Sequence, residues 1–346
     1  MIHPPTPAHS RRGGARPSIL SALAITLVGA GFLVVVGLRG VSIPNPTPAP
    51  GPAGQPQASA DSAKIDTLQN AAQELIRRGE VKQAEALLRG AIAEHLTEQR
   101  LYSQLGDLLA SQRRSEEAYA IYEKALASAP GDADLEFAAG SAATAAGKLD
   151  RAEEHYQASM TKRPTDFRAP MFLAQVQMKL EHLDQAAANL LLAAKLNPDA
   201  AIVWGSLAEI ALRQNKLSLA QQHAKKAREL EPRVTVWRLI EARALKREGK
   251  PEAALDLLVG LDEAAKREPG VDLLQAECFG IMGRPADAAA VYLAKIKTDG
   301  ADGLSTLQAA IWLEKAGDLA QAKDLAQRAE MLAVPGAKEL VVRLGK

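Results

Sequence analysis

Arg243 and Arg247 stand one helical turn apart in the run TVWRLIEARALKREGK, with Lys246 between them. At i, i+4 spacing two guanidiniums share one helix face, where they can grip a carboxylate or an acidic segment through charge-assisted hydrogen bonds. The plain alternative is a solvated face on which arginine stems cover alanine-rich surface. Other side chains with chemical potential do not converge. The six histidines are scattered, and none has the i, i+4 histidine partner or the His-Glu pattern of a metal site. Glu116-Glu117 and Glu153-Glu154 are adjacent in sequence, so they point different ways on a helix. Gly29-Ala30-Gly31 lies inside a long apolar run and is no phosphate loop. Cys278 falls beside apolar positions and reads as a small buried residue. A single cysteine also rules out an intrachain disulfide framework. These patterns predict a protein that is not an enzyme and holds no cofactor or metal.

The elements that position these residues follow from composition and spacing. Apolar residues make up 47% of the 346 but aromatics only 4%, so the core must be built from alanine and leucine. Those two, with Glu, Lys, Gln and Arg, are the best helix formers. A formal net charge of +1 argues against a dedicated nucleic-acid binder. Residues 1–64 hold five basic residues and one acid, leaving 37 basic and 40 acidic residues in 65–346.

After a short basic segment, 1–17, residues 18–38 read SILSALAITLVGAGFLVVVGL without a charge. As a helix this run would be about 31 Å long, enough to cross a bilayer core. Arg11, Arg12 and Arg16 precede it and Arg39 follows, so the positive-inside bias predicts a cytoplasmic N-terminus with the rest outside the cytoplasm. A cleaved signal peptide would have a shorter apolar region and a cleavage site close behind; the nearest A-x-A is Ala58-Ser59-Ala60. Ser18, Ala22, Thr26 and Ala30 share one stripe at i, i+4, a pattern that lets membrane helices pair into a homo-oligomer. Small residues are also simply common in such helices. The segment 39–64, with six prolines between Pro44 and Pro56, predicts an extended spacer.

Pro130, Pro164, Pro198 and Pro232 are each 34 residues apart. With these prolines at position 32, residues 65–336 divide into eight blocks, starting at Ile65, Gln99, Ala133, Phe167, Ala201, Thr235, Pro269 and Gly303. Position 20 is alanine in all eight, from Ala84 to Ala322, and position 8 is always Ala or Gly. Position 15 is Gly79, Gly147, Gly249, Gly283 and Gly317, with Asn215 in a sixth block. Glycine or asparagine there ends a first helix in the left-handed conformation. Small residues at 8 and 20 let two antiparallel helices approach closely, and proline at 32 stops the second. Block six departs from the pattern at Leu261 and Lys266, which predicts an irregular second helix; block one has Leu96 where the proline belongs. Residues 337–346 follow as a short cap or tail.

This pattern resembles the tetratricopeptide repeat in length and template. Gln99–Asp132 matches well, with Tyr102, Leu105, Gly106, Ala118, Tyr122, Ala125 and Pro130. The resemblance implies an all-α, right-handed α-solenoid of eight helix-turn-helix repeats, here preceded by one transmembrane helix. It further implies that protein partners bind along a concave face lined by positions 2, 5, 9, 12 and 13 of each first helix. In blocks one to three those positions are mostly neutral or acidic: Asp66, Gln69, Gln73, Asp107, Asp134, Ser141. In blocks four to six they turn basic and apolar, and the candidate partner-binding residues are Met171, Gln175, Glu209, Arg213, Arg243, Lys246 and Arg247. No block carries the Lys and Asn at positions 5 and 9 with which some members clamp chaperone tails. The architecture is similar to inner-membrane repeat proteins of envelope assembly, as in cytochrome c maturation, pilus or secretion machines, or polysaccharide export. The expectation is a membrane-anchored scaffold for protein partners with acidic segments. The alternatives are a structural tether that self-associates and an accessory subunit of a membrane enzyme.

Overall fold

The computed structural model describes residues 24–29, 32–37 and 60–345, apart from 95–97, 129, 263, 269 and 300–301. The basic segment 1–17, most of the proline-rich spacer, Leu96 and Pro269 therefore lie outside the described residues, as do Ser18, Ala22 and Ala30.

Two units make up the chain, Met1–Ala53 and Gly54–Lys346. In the first, β1 (Ala24–Gly29) and β2 (Phe32–Gly37) pair antiparallel, with Ala24 opposite Gly37 and Gly29 opposite Phe32. This differs from the single helix expected over 18–38. The residue types explain the difference. Ile25, Thr26, Val28 and Val34-Val35-Val36 are β-branched and favour strands. Gly29 and Gly31 sit mid-run, where glycine costs a helix about 1 kcal/mol each. Among the described residues no helix is long and apolar enough to cross a membrane.

The second unit is a chain of helix pairs. The first four are α1 (Ala60–Arg77) with α2 (Val81–Ala93), α3 (Gln99–Ser111) with α4 (Ser115–Ser128), α5 (Ala133–Ala145) with α6 (Leu149–Lys162), and α7 (Arg168–Lys179) with α8 (Leu183–Leu196). Four more follow: α9 (Ala201–Arg213) with α10 (Leu217–Leu230), α11 (Thr235–Arg247) with α12 (Pro251–Val259), α13 (Val271–Ile281) with α14 (Pro285–Asp299), and α15 (Gly303–Ala316) with α16 (Leu319–Met331). Each helix packs on its neighbours in sequence, and first helices also touch across pairs, α7 with α9 and α9 with α11 among them. That nearest-neighbour contact pattern is the signature of a solenoid. α1 starts at Ala60, inside the segment expected to be spacer.

The periodic residues do the same job in each pair. All eight position-20 alanines are fully buried, as are the position-8 residues Ala72, Ala174, Ala208, Ala242, Ala276 and Ala310. Where position 8 is glycine, a ring takes the freed space: a Cβ on Gly106 would lie 2.5 Å from the Tyr122 ring. First helices end alike. The N–H at position 16 donates to the carbonyl at position 11 in every pair, from Glu80 to Leu75 through Asp318 to Leu313, the long bond of a Schellman motif. Position 15 is left-handed throughout, not only at its five glycines and Asn215 (φ 60°) but also at Arg113 and Glu181, both at φ 61°. The repeat geometry imposes this conformation on residues that disfavour it.

Pair six breaks the pattern at its second helix, as Leu261 and Lys266 suggested. α12 runs nine residues and stops before Gly260. Asp262 accepts from the Ala264 and Ala265 N–H groups, opening a 3-10 turn at Ala265–Arg267. At the far end α17 (Ala337–Leu344) buries Ala337 and Leu340, and Arg343 makes two 2.7 Å hydrogen bonds to Glu314 of α15. A left-handed residue with a Cβ costs about 1–2 kcal/mol. Arg113→Gly should thus raise stability by about 0.5–1 kcal/mol after the entropy glycine adds to the unfolded chain. Thermal or urea unfolding of the full chain reads this directly; an unchanged or lower midpoint would contradict it.

Candidate functional site

Positions 2, 5, 9, 12 and 13 of the first helices form rows along the inner layer of the array, and each row has its own character. At position 2, Arg100 donates to Asp66 at 2.8 Å, and Arg168 reaches Asp134 at 3.7 Å while bonding Asp166 in its own turn at 2.6 Å. Ile202 and Val236 continue this row as buried apolar residues. Charges here are spent on neighbours.

Position 5 is where the structure corrects the expected site. Met171 is 4% exposed and Leu239 3%, so neither offers much surface to a partner. The cause is the direct contact of successive first helices. Gly205 lies so close to the next pair that a Cβ there would sit 2.0 Å from the Trp237 indole. Trp237, fully buried, fills that seam. Sequence reasoning placed no weight on it, although a lone tryptophan one block after a glycine is the visible signal.

At position 13 the arginines are engaged within the array. The Arg247 guanidinium donates to the Leu212 carbonyl at 2.7 Å and to Asn215 Oδ1 at 2.8 Å. Arg213 repeats this one pair earlier, with its Nη1 3.4 Å from the Met178 carbonyl and from Glu181, and its Nε 3.4 Å from Glu209. Both arginines thus lie across the C-terminus of the preceding first helix, where unpaired carbonyls and the helix dipole favour a cation. They staple one pair to the next. Arg243 and Arg247, expected to act together, differ: Arg247 is held by a helix end, and Arg243 has no partner among the described residues.

Position 9 runs Gln175, Glu209, Arg243. Gln175 is half-buried and its Nε2 has no hydrogen-bond partner; Ser206 Oγ, fully buried, has none either. Glu209 is 9% exposed and beside Arg213. Lys246, at position 12, forms an ion pair with Glu277 of α13. Arg243 is half-buried and, among the described residues, has neither hydrogen bond nor ion pair. Lys179, at the exposed rim, is in the same state.

The inner face of the first two pairs differs. Gln69, Asn70, Gln73, Arg100, Ser103, Gln104 and Asp107 line an open cleft of about 420 Å³. Gln104, at position 6, donates to the Gln69 carbonyl at 3.1 Å, while its own Oε1 has no partner. Burial raises the Asp107 carboxyl above its ordinary value, and a 2.6 Å hydrogen bond from the Tyr122 hydroxyl opposes this. The sequence-predicted rows include Gln69, Gln73 and Asp107 but not Gln104, which lies outside those five positions.

Elsewhere the titratable groups are structural in setting. Cys278 is fully buried, which pushes its thiol up to about 11. His223 packs on Trp204, and burial lowers its titration. Trp204 itself donates to the Pro198 carbonyl at 2.7 Å, so the residue that opens one pair is tied to the proline that closes the last.

Three stretches of the chain, 70–133, 103–167 and 143–210, match models of the tetratricopeptide repeat. Together these stretches span residues 70–210. The pairs beyond them keep the same frame, buried alanines and helix ends. No curated protein matches the chain at a significant level. Among solved structures, that of pilF from Pseudomonas aeruginosa is 20% identical, with 60% of this chain and 94% of that one covered at a TM-score of 0.50. A tetratricopeptide repeat protein from Parabacteroides merdae is 16% identical over 82% of this chain and all of that one, at 0.48. MamA from Desulfovibrio magneticus RS-1 is 22% identical over 51% and 97%, at 0.47. Such likenesses concern the fold alone.

The two arginines should separate in a stability measurement. Arg247→Ala removes hydrogen bonds to a helix end and should cost about 1–2 kcal/mol. Arg243→Ala removes no such bond and should stay within about 0.5 kcal/mol of wild type. Equal losses in urea unfolding would refute the assignment of Arg247 as a staple.

Proposed function

We propose that this protein is a membrane-tethered scaffold that captures protein partners along the inner face of its repeats. The observation that carries the reading is Arg243, a half-buried guanidinium with no partner among the described residues, in a row where neighbouring charges are paired. Holding a charge partly out of water without a counter-ion is costly. A carboxylate of a bound partner would remove that cost and gain a charge-assisted hydrogen bond. Gln175, with its unpartnered amide two repeats away, adds a donor suited to a main-chain carbonyl. The partner is a segment with at least one acidic residue.

The tether rests on residues 18–38. As paired strands, β1 and β2 form a two-stranded sheet with two outer edges, and unpaired main-chain groups cost several kcal/mol in lipid. A helix satisfies those groups internally, so a bilayer favours the helical form of this run. Arg11, Arg12 and Arg16 favour a cytoplasmic N-terminus, with the repeats in the periplasm. Assembly of an envelope complex is the role such a placement suits.

Two experiments test this. Crosslinking in intact membranes followed by capture should recover a partner with wild type and with Arg243→Gln much less of it, while Arg243→Glu loses it altogether at unchanged melting temperature. Capture indifferent to both substitutions, or only self-crosslinks, would replace the scaffold with a self-associating tether. A reporter that works only outside the cytoplasm should be active when fused after Lys346; activity from a cytoplasmic reporter alone would reverse the topology.

A further inference from the structure

His155 of α6 stands between two carboxylates that come from different helix pairs. Its Nδ1 lies 2.8 Å from Glu136 Oε2 of α5, in its own pair, and its Nε2 lies 3.0 Å from Glu123 Oε1 of α4, in the pair before. The imidazole is 12% exposed and meets the Tyr119 ring edge-on at 5.8 Å. A neutral imidazole has one N–H donor and one lone pair, so only the doubly protonated ring can donate to both carboxylates. Without the second proton a lone pair faces a carboxylate at hydrogen-bond distance, a repulsive contact that Glu123, 46% exposed, relieves by turning to solvent.

We propose that His155 is a proton-operated latch joining the second helix pair to the third. With both nitrogens protonated it links α4 to α5 through two charge-assisted contacts; when it loses a proton, the link to Glu123 fails and this joint loosens. In a solenoid the rotation at each joint sets the path of everything beyond it. The latch therefore couples the local pH to the shape of the inner face, independently of what that face binds.

The surrounding charges leave the imidazole as the group that changes. Glu136 feels burial, which raises its titration, but hydrogen bonds from His155 and a 2.6 Å contact from Lys162 outweigh this and hold it below the ordinary carboxylate value. It stays ionised wherever a histidine titrates. From α4 the facing groups are Glu123 and Tyr119, whose phenol burial pushes upward. On α6 itself they are Lys162, Arg151 and Glu154, the last two paired at 2.7 Å. Both contacts are made only by the doubly protonated ring, so the joint is tied when the ring carries two protons and loosens when it carries one.

Amide hydrogen exchange of the full chain in detergent micelles, corrected for intrinsic rates, tests the latch at about pH 5.5 and about pH 8. Protection across α4 and α5 should fall roughly tenfold at the higher pH relative to α15 and α16, the size of one charge-assisted hydrogen bond. In His155→Gln that pH response should vanish. Glu123→Gln supplies an amide that can donate to the unprotonated ring nitrogen, so protection at high pH should be retained. A pH response of wild-type size in both variants, or none in wild type, overturns the proposal. Nitrogen chemical shifts of the His155 ring in the wild-type chain give a second reading: two protonated nitrogens near neutral pH support the latch, and one protonated nitrogen sinks it even if a variant fails to fold.

Discussion

The whole array depends on how closely two helices can approach at positions 8 and 20. Alanine at position 20 is fully buried in each pair, and its partner at position 8 is never larger than alanine. Helix axes packed through such small residues come close to the lower end of the usual 8–10 Å range. That spacing brings the larger residues at position 24 within reach of both helices and of the next pair. Leu88, Tyr122, Tyr156, Leu190 and Leu258, each at most 3% exposed, fill the space so created. A bulky side chain at position 20 would push the pair apart and open the seam on either side, because cores packed this tightly tolerate overfilling poorly.

Charges have a different role, which is register between pairs. Arg114 contacts Glu85 of the preceding pair at 2.6 Å and Glu117 of its own at 2.7 Å, and these hydrogen bonds hold both carboxyls below their ordinary values. Arg100 likewise reaches Asp66 of the preceding pair at 2.8 Å. Exposed pairs of this kind contribute little stability one by one. Repeated at successive joints, together with Arg213 and Arg247 on helix ends, they fix how each pair sits on the last. Against that background Arg243 stands out as an arginine with no partner among the described residues, and the proposed binding of a ligand rests on it.

The fold was legible because its strongest signals are periodic. Pro130, Pro164, Pro198 and Pro232, the alanines of position 20 and the glycines of position 15 give the frame, and Leu261 and Lys266 mark the short helix α12. Arg113 and Glu181 were not legible as left-handed residues, since nothing in their type favours that conformation; the Schellman bonds around them impose it. The site was legible only in part. The periodic spacing places the rows on the first helices, but burial of Met171 follows from direct contact between those helices, and the staple role of Arg247 from a carbonyl 35 residues earlier. Neither is written in local pattern. The run 18–38 shows the same limit: its length and lack of charge suit a membrane helix, while its β-branched residues and paired glycines suit the strands found at 24–29 and 32–37.

The central claim is that the inner face around Arg243 is where a partner sits. A photoreactive residue placed at position 243 in the full chain, compared with one at the exposed Glu229 of α10, tests it most directly. The account predicts a partner adduct from position 243, mapping to a segment with acidic residues, and little or none from position 229. Equal yields from both, or an adduct from position 229 alone, would contradict it.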